Sequence, residues 1–70
     1  MFKLRDILIV DKEKENQLHK LHPTRIEIIS VKSKENTYMC LILDHTGKCN
    51  IGHKTIFTKY HLKEFYIKSF

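Results

Sequence analysis

Apolar and polar residues alternate along most of this chain with a period of two, the mark of strands. Over residues 4–10, Ile7 and Ile9 fall on one face and Leu8 and Val10 on the other. A strand apolar on both faces is central in its sheet or sharply bent. The pattern then breaks. Residues 11–24 are charged and polar from Asp11 to Gln17, followed by Leu18, His19, Lys20, Leu21, His22 and Pro23. Asp11 is placed to cap a short helix that puts Leu18 and Leu21 on one face and ends at Pro23. A long, partly ordered loop is the competing reading and the preferred one.

Alternation resumes over residues 25–33, where Ile26 and Ile28 point one way and Ile29 and Val31 the other. A bulge at that slip keeps all four apolar side chains in use. Lys34, Glu35 and Asn36 make a turn, and Thr37 to Leu43 is a third strand. Asp44-His45-Thr46-Gly47 has the residues of a tight turn, with Gly47 supplying a positive φ. A fourth strand returns over Lys48 to Phe57, loosened by Gly52. Thr58 caps one helical turn from Lys59 to Leu62, and residues 64–68 close as a fifth strand. The core expected from these phases is Leu4, Ile7, Ile9, Ile26, Ile29, Val31, Cys40, Ile42, Ile51, Phe57, Leu62 and Phe65.

This order predicts an all-β fold, a small five-stranded barrel with a long first loop and one short 3₁₀ turn before the last strand. Residues 1–70 make one domain. A chain of this length buries roughly 60% of its surface on folding, which leaves no room for a two-domain enzyme or a large cofactor fold. Composition agrees: Ala is absent, Ile occurs nine times, and Tyr and Phe together seven, a mixture that suits strands over a helical bundle. The longest apolar runs, Ile7 to Val10 and Met39 to Leu43, fall far short of the ~20 residues of a membrane span. The N-terminus has no signal-peptide pattern, and two Cys do not make a secreted disulfide framework. A cytoplasmic protein with reduced thiols and no membrane partner is the expectation.

Several segments resemble the KOW-type and related short SH3-like barrels of ribosomal, transcription and phage-encoded proteins. Residues 2–10, Phe-Lys-Leu-Arg-Asp-Ile-Leu-Ile-Val, are similar to the opening Phe-x-x-Gly-Asp-x-Val-x-Val of such domains, with Arg5 where Gly is usual. Residues 23–31 resemble the next segment, Pro-Gly-x-Ile-Gly-x-Val-x-x-Val, with Thr24 and Glu27 replacing both glycines. Tyr38 through Lys48 resembles the following hairpin, and Phe57 to Leu62 the short 3₁₀ turn. The resemblance implies an SH3-like barrel, a fold that hosts RNA, DNA and protein ligands. Glu27 adds a negative charge that argues against RNA contact through its own segment.

Candidate chemistry is sparse. Cys40, His45, Cys49 and His53 are metal-ligating types, but their spacing lacks the close Cys pair of a zinc clip. With a tight turn at Asp44–Gly47, Leu43 falls opposite Cys49 and the four side chains do not converge. His19 and His22 are an isolated pair in the loop. Cys40 lies in an apolar strand, where Cys is inert core. Paired carboxylates, a Gly-rich phosphate loop and H-E-x-x-H are all missing, so no enzyme, no cofactor and no small-molecule substrate is expected.

The net charge of +5 is the remaining signal. From Lys32 onward there are seven Lys against Glu35, Asp44 and Glu64, so most of the excess lies in the second half. Lys48, Lys54, Lys59 and Lys63, with Tyr60 among them, supply cations for phosphates and a ring for stacking. The expected function is a non-enzymatic module that binds nucleic acid, RNA or DNA, or a nucleoprotein, through this basic half. The alternative is a phage or mobile-element accessory protein that docks on a host protein and modulates it.

Overall fold

The longest alternating segment becomes the middle of the sheet. The computed structural model describes residues 2–69. Strands β1 (Ile7–Val10), β2 (Pro23–Lys32), β3 (Thr37–His45), β4 (Lys54–Thr58) and β5 (Tyr66–Lys68) form one antiparallel sheet, and helix α1 (Lys59–Phe65) joins the last two. The spatial order is β4-β3-β2-β1-β5. No ladder joins the outer strands β4 and β5, so the sheet is not closed into the expected barrel. Instead α1 occupies the gap. The His61 ring stacks on Phe57 of β4 at 5.0 Å, and Phe57 lies 5.9 Å from Tyr66 of β5.

Residues paired across strands share a face. Leu8 lies opposite Ile26, Ile26 opposite Ile42, Ile28 opposite Cys40, and Val10 opposite Tyr66. These rows, with Tyr38 and with Leu62 of α1, are the core. The phase of β1 is thus the reverse of the expected one: Leu8 and Val10 are buried, and Ile7 and Ile9 are half-buried on the outer face. Both faces of β1 are apolar, so only its register against Ile26 decides between them. Of the other expected core residues, Leu4, Val31 and Ile51 are exposed, and Ile29 is half-buried. Tyr38 and Tyr66 take core places instead. The Tyr66 hydroxyl donates to the Pro23 carbonyl at 2.6 Å, and burial raises its pKa well above the ordinary phenol value.

The slip between Ile28 and Ile29 is a bulge. Ile28 pairs with Cys40 and Ser30 with Met39, so Ile29 has no partner of its own. The tight turn at Asp44–Gly47 does not form. β3 stays zipped to β2 as far as His45, opposite Pro23, and Thr46 N–H donates to the His22 carbonyl at 3.0 Å. Residues 46–53 are a wide loop with left-handed Lys48, Asn50 and Gly52. Gly47 has no positive φ. What it needs is space: a Cβ there would meet Leu21 Cδ2 at 3.1 Å and Cys49 Sγ at 3.2 Å. The fourth strand therefore starts at Lys54 rather than Lys48, and Cys40 lies opposite Thr55.

Residues 11–22 are loop with one 3₁₀ turn, Glu15–Gln17. Asp11 Oδ1 accepts from Glu13 N–H at 3.0 Å and opens the segment. The buried His22 closes it, with Nδ1 2.6 Å from the His19 carbonyl and Nε2 2.8 Å from Glu15 Oε2. Thr58 caps α1 as expected, its hydroxyl accepting from His61 N–H at 3.1 Å. The helix nevertheless runs seven residues in place of one 3₁₀ turn, because Leu62 and Phe65, three apart, both pack on the core. No helix among the described residues is long and apolar enough to cross a membrane.

Two predictions follow from these contacts. Desolvation lowers the His61 pKa below its ordinary 6.5. The fold favours the neutral ring, so its contribution is complete above about pH 6.5 and falls as the pH drops from there through the lowered folded value. Parent and His61→Phe, melted at pH 7.5 and at pH 5, should differ in slope, the parent losing more on acidification. Arg5, at φ 76, occupies the left-handed region that favours Gly. Its ion pair with Glu27 is worth little because the Arg5 side chain is 81% exposed. Arg5→Gly should raise stability by up to about 1 kcal/mol in denaturant titration.

Candidate nucleic-acid interface

The groove lies where the N-terminus, the β2–β3 connection and the start of α1 meet. Ser33–Glu35 form a 3₁₀ turn after β2, ended by Asn36 in the left-handed conformation (φ 54). That reversal sends the chain into β3 and turns the Asn36 carbonyl toward α1, where it accepts from Lys59 N–H at 2.7 Å. One hydrogen bond thus fixes the β2–β3 corner against the first residue of the helix.

Two adjoining cavities result, of about 280 and 220 Å³, and both are lined by Phe2, Tyr38 and Lys59. The Phe2 and Tyr38 rings meet edge to face, with centroids 5.9 Å apart and planes at 78°. They make an apolar corner. Lys63 borders the first cavity, and Lys32, Ser33, Asn36 and Thr37 border the second. Lys59 and Lys63 are four apart on α1 and share a helix face. Among the described residues no carboxylate lines either cavity, although Glu35 lines the cavity beside them together with Lys32 and Ser33. Among the described residues Lys32, Lys59 and Lys63 form no ion pair.

Two carboxylates are engaged elsewhere. Glu64 holds Lys14 at 2.6 Å, and that hydrogen bond raises the lysine's pKa. Asp6 accepts from Lys3 N–H at 2.8 Å and pairs with Lys68 at 3.4 Å. The Lys3 backbone hydrogen bond is the main reason its pKa is lowered.

Of the five residues expected to form one surface, Lys59 and Lys63 come together at this groove. Tyr60 is on the same helix and 72% exposed, but does not line the groove. Lys54 pairs with Leu41, whereas Thr58, next to Lys59, pairs with Thr37. That separation of four residues along β3 is roughly 13 Å. Lys48 lies beyond it in the 46–53 loop. Phe2, Tyr38 and Lys32 are the residues that sequence reasoning did not place at the site. The clustering of Lys32 and Lys34 at the end of the second strand was the available signal for the last of these. Nothing local brings Phe2 against Tyr38.

No group of three or more His, Cys, Asp or Glu able to hold a metal lies among the described residues. Cys40 is fully buried, and desolvation pushes its thiol up to about 12. Cys49 is exposed, with Sγ 3.7 Å from His45 Nδ1, a nitrogen that already accepts from Gly47 N–H at 3.0 Å.

No protein-family model matches the chain, and comparison with curated proteins and with solved structures brings no match.

The thiols give a direct check of the site's layout. Native protein treated with iodoacetamide at pH 8 should take one label, on Cys49, and take the second only on unfolding. Peptide mass spectrometry reads the positions. Rapid labelling of Cys40 in the native state would contradict the packing of β3.

Proposed function

We propose that this protein is a small non-enzymatic module that binds nucleic acid, free or within a nucleoprotein, through the groove of Phe2, Tyr38, Lys32, Lys59 and Lys63. One observation carries the reading. An aromatic corner is bordered by three lysines, and no carboxylate among the described residues lines its two cavities, which is the pairing of ring and cations that nucleic acid requires. The excess positive charge of the second half thereby gains a specific location.

An SH3-like reading of the fold accompanies this. The strand order β4-β3-β2-β1-β5, a helical segment before the last strand, and the pairing of that strand with the first all support it. Arg5 supports it locally, since it adopts a positive φ at the position where the resembling pattern has Gly. Thr24 and Glu27, at the other two Gly positions, have no positive φ and are accommodated in β2.

A second reading rests on a different face. On the outer side of the sheet Met39 lies opposite Ile56, and Ile9 opposite Ile67. Ile56 is 58% and Ile67 47% exposed, on strands with free edges. Docking on a host protein would use these apolar pairs. A pull-down from lysate with and without nuclease separates the readings, because a partner held through nucleic acid is lost on digestion.

Titration with short single- and double-stranded RNA and DNA at two salt concentrations tests the first reading. Lys59→Ala and Lys63→Ala should each weaken binding to many sequences alike and lower the salt slope by about one. Lys48→Ala and Lys54→Ala should change both less. Absence of binding to every probe at about 50 mM salt would remove the nucleic-acid reading and leave the docking one.

A further inference from the structure

The shape of the groove narrows the class of nucleic acid, given the reading above. Tyr38 is only 5% exposed and belongs to the core, so the ring face the groove offers is that of the half-buried Phe2, which Tyr38 backs edge to face. A duplex keeps its base faces stacked on one another and presents edges and phosphates. It brings phosphates to the lysines but no base face to the Phe2 ring unless a base is extruded, which means unstacking and unpairing it. An unpaired strand meets no such cost.

Each cavity, at about 280 and 220 Å³, lies just below the roughly 300–1,000 Å³ of small-molecule pockets. That is space for a planar ring system and not for a large cofactor. Because the two rings stand at 78°, a base laid on the face of one meets the other edge-on. Lys59 and Lys63 flank this seat from one helix face, and Lys32 and Asn36 stand at its other side. Phosphates to either side of a seated base would meet Lys59 and Lys63 on one side and Lys32 on the other, where Lys34 and Glu35 stand next to it.

We infer that the groove is a seat for a base of single-stranded nucleic acid, with Phe2, backed by Tyr38, stacking the base and Lys32, Lys59 and Lys63 holding the flanking phosphates. This rests on the nucleic-acid reading and adds to it the strandedness of the ligand and the residues that recognise it.

The test uses three probes of equal length and labelling with the full chain: a single-stranded oligonucleotide, the same strand annealed to its complement, and an abasic strand carrying the same phosphates. RNA and DNA versions of the first show which sugar is preferred. The base-bearing single strand should bind at least about fivefold more tightly than the abasic strand, and more tightly than the duplex. Phe2→Leu keeps an apolar side chain but removes the π-face. It should abolish the base-bearing advantage while leaving affinity for the abasic strand unchanged, with circular dichroism showing the parent fold. Lys59→Ala should weaken the single strand and the abasic strand by similar factors. Equal affinity for abasic and base-bearing strands, a duplex that binds as tightly as the single strand, or a Phe2→Leu protein that keeps the full advantage would each overturn the base seat and leave the broader reading standing. Failure of every probe to bind would overturn both.

Discussion

Ile26 is held between Leu8 on one side and Ile42 on the other, and the rest of the fold follows from that row. β2 is paired on both edges around this residue, so its inward face is set independently by two neighbours. Once Ile26 points inward, Leu8 and Val10 must as well, and Ile7 and Ile9 are turned outward. Cys40 and Ile42 take the same side on β3. In a domain this small, one row of fully buried side chains is a large part of the available core. Changing its register by one residue would exchange the two faces of the sheet.

The bulge at Ile29 ends that regime. It reverses the phase of β2 so that its last residues approach Tyr38 from the core side, with Val31 opposite Tyr38. The chain then leaves the sheet at Ser33–Glu35 and re-enters through the left-handed Asn36. The groove therefore occupies the place where the core row runs out and aromatic side chains end it. Phe2 covers one side of Tyr38, and the hydrogen bond from Lys59 N–H to the Asn36 carbonyl brings in α1. At the other end of the same helix, Leu62 and the rings of His61 and Phe65 fill the space between β4 and β5 that a closed barrel would bridge with hydrogen bonds. One seven-residue helix thus covers the opening in the sheet and presents two lysines beside the groove.

Charge is sorted by the same architecture. Lys14 of the first loop pairs with Glu64, Asp6 just before β1 pairs with Lys68, and Glu15 is held by the His22 ring. The lysines of the groove are left without partners among the described residues. The net charge alone says only that cations are in excess. Which cations are free to meet a polyanion depends on where the carboxylates are spent, and that is decided by contacts between residues as distant as Lys14 and Glu64.

Local pattern was enough for the number of strands, the bulge at the Ile28–Ile29 slip, the loop over residues 11–22 and the Thr58 cap. Each of these depends on side chains a few residues apart: a period of two, a break in phase, a hydroxyl three residues before the amide it binds. Tertiary structure decided the rest. Ile7-Leu8-Ile9-Val10 is apolar on both faces, so its buried side waited on Ile26. Asp44-His45-Thr46-Gly47 has turn residues, but the pairing of His45 with Pro23 and of Thr46 with His22 keeps the strand extended to His45 and moves the turn one residue on, where Lys48 N–H donates to the His45 carbonyl. The lysines around Tyr60 were legible as a basic region, yet only Lys59 and Lys63 reach the groove, because a strand moves Lys54 away while a helix keeps residues four apart together. Phe2 and Tyr38 carry no local mark of their meeting. They touch because β2 bulges and because the chain before β1 turns back at a left-handed Arg5, a geometry set by packing and not by neighbouring residues.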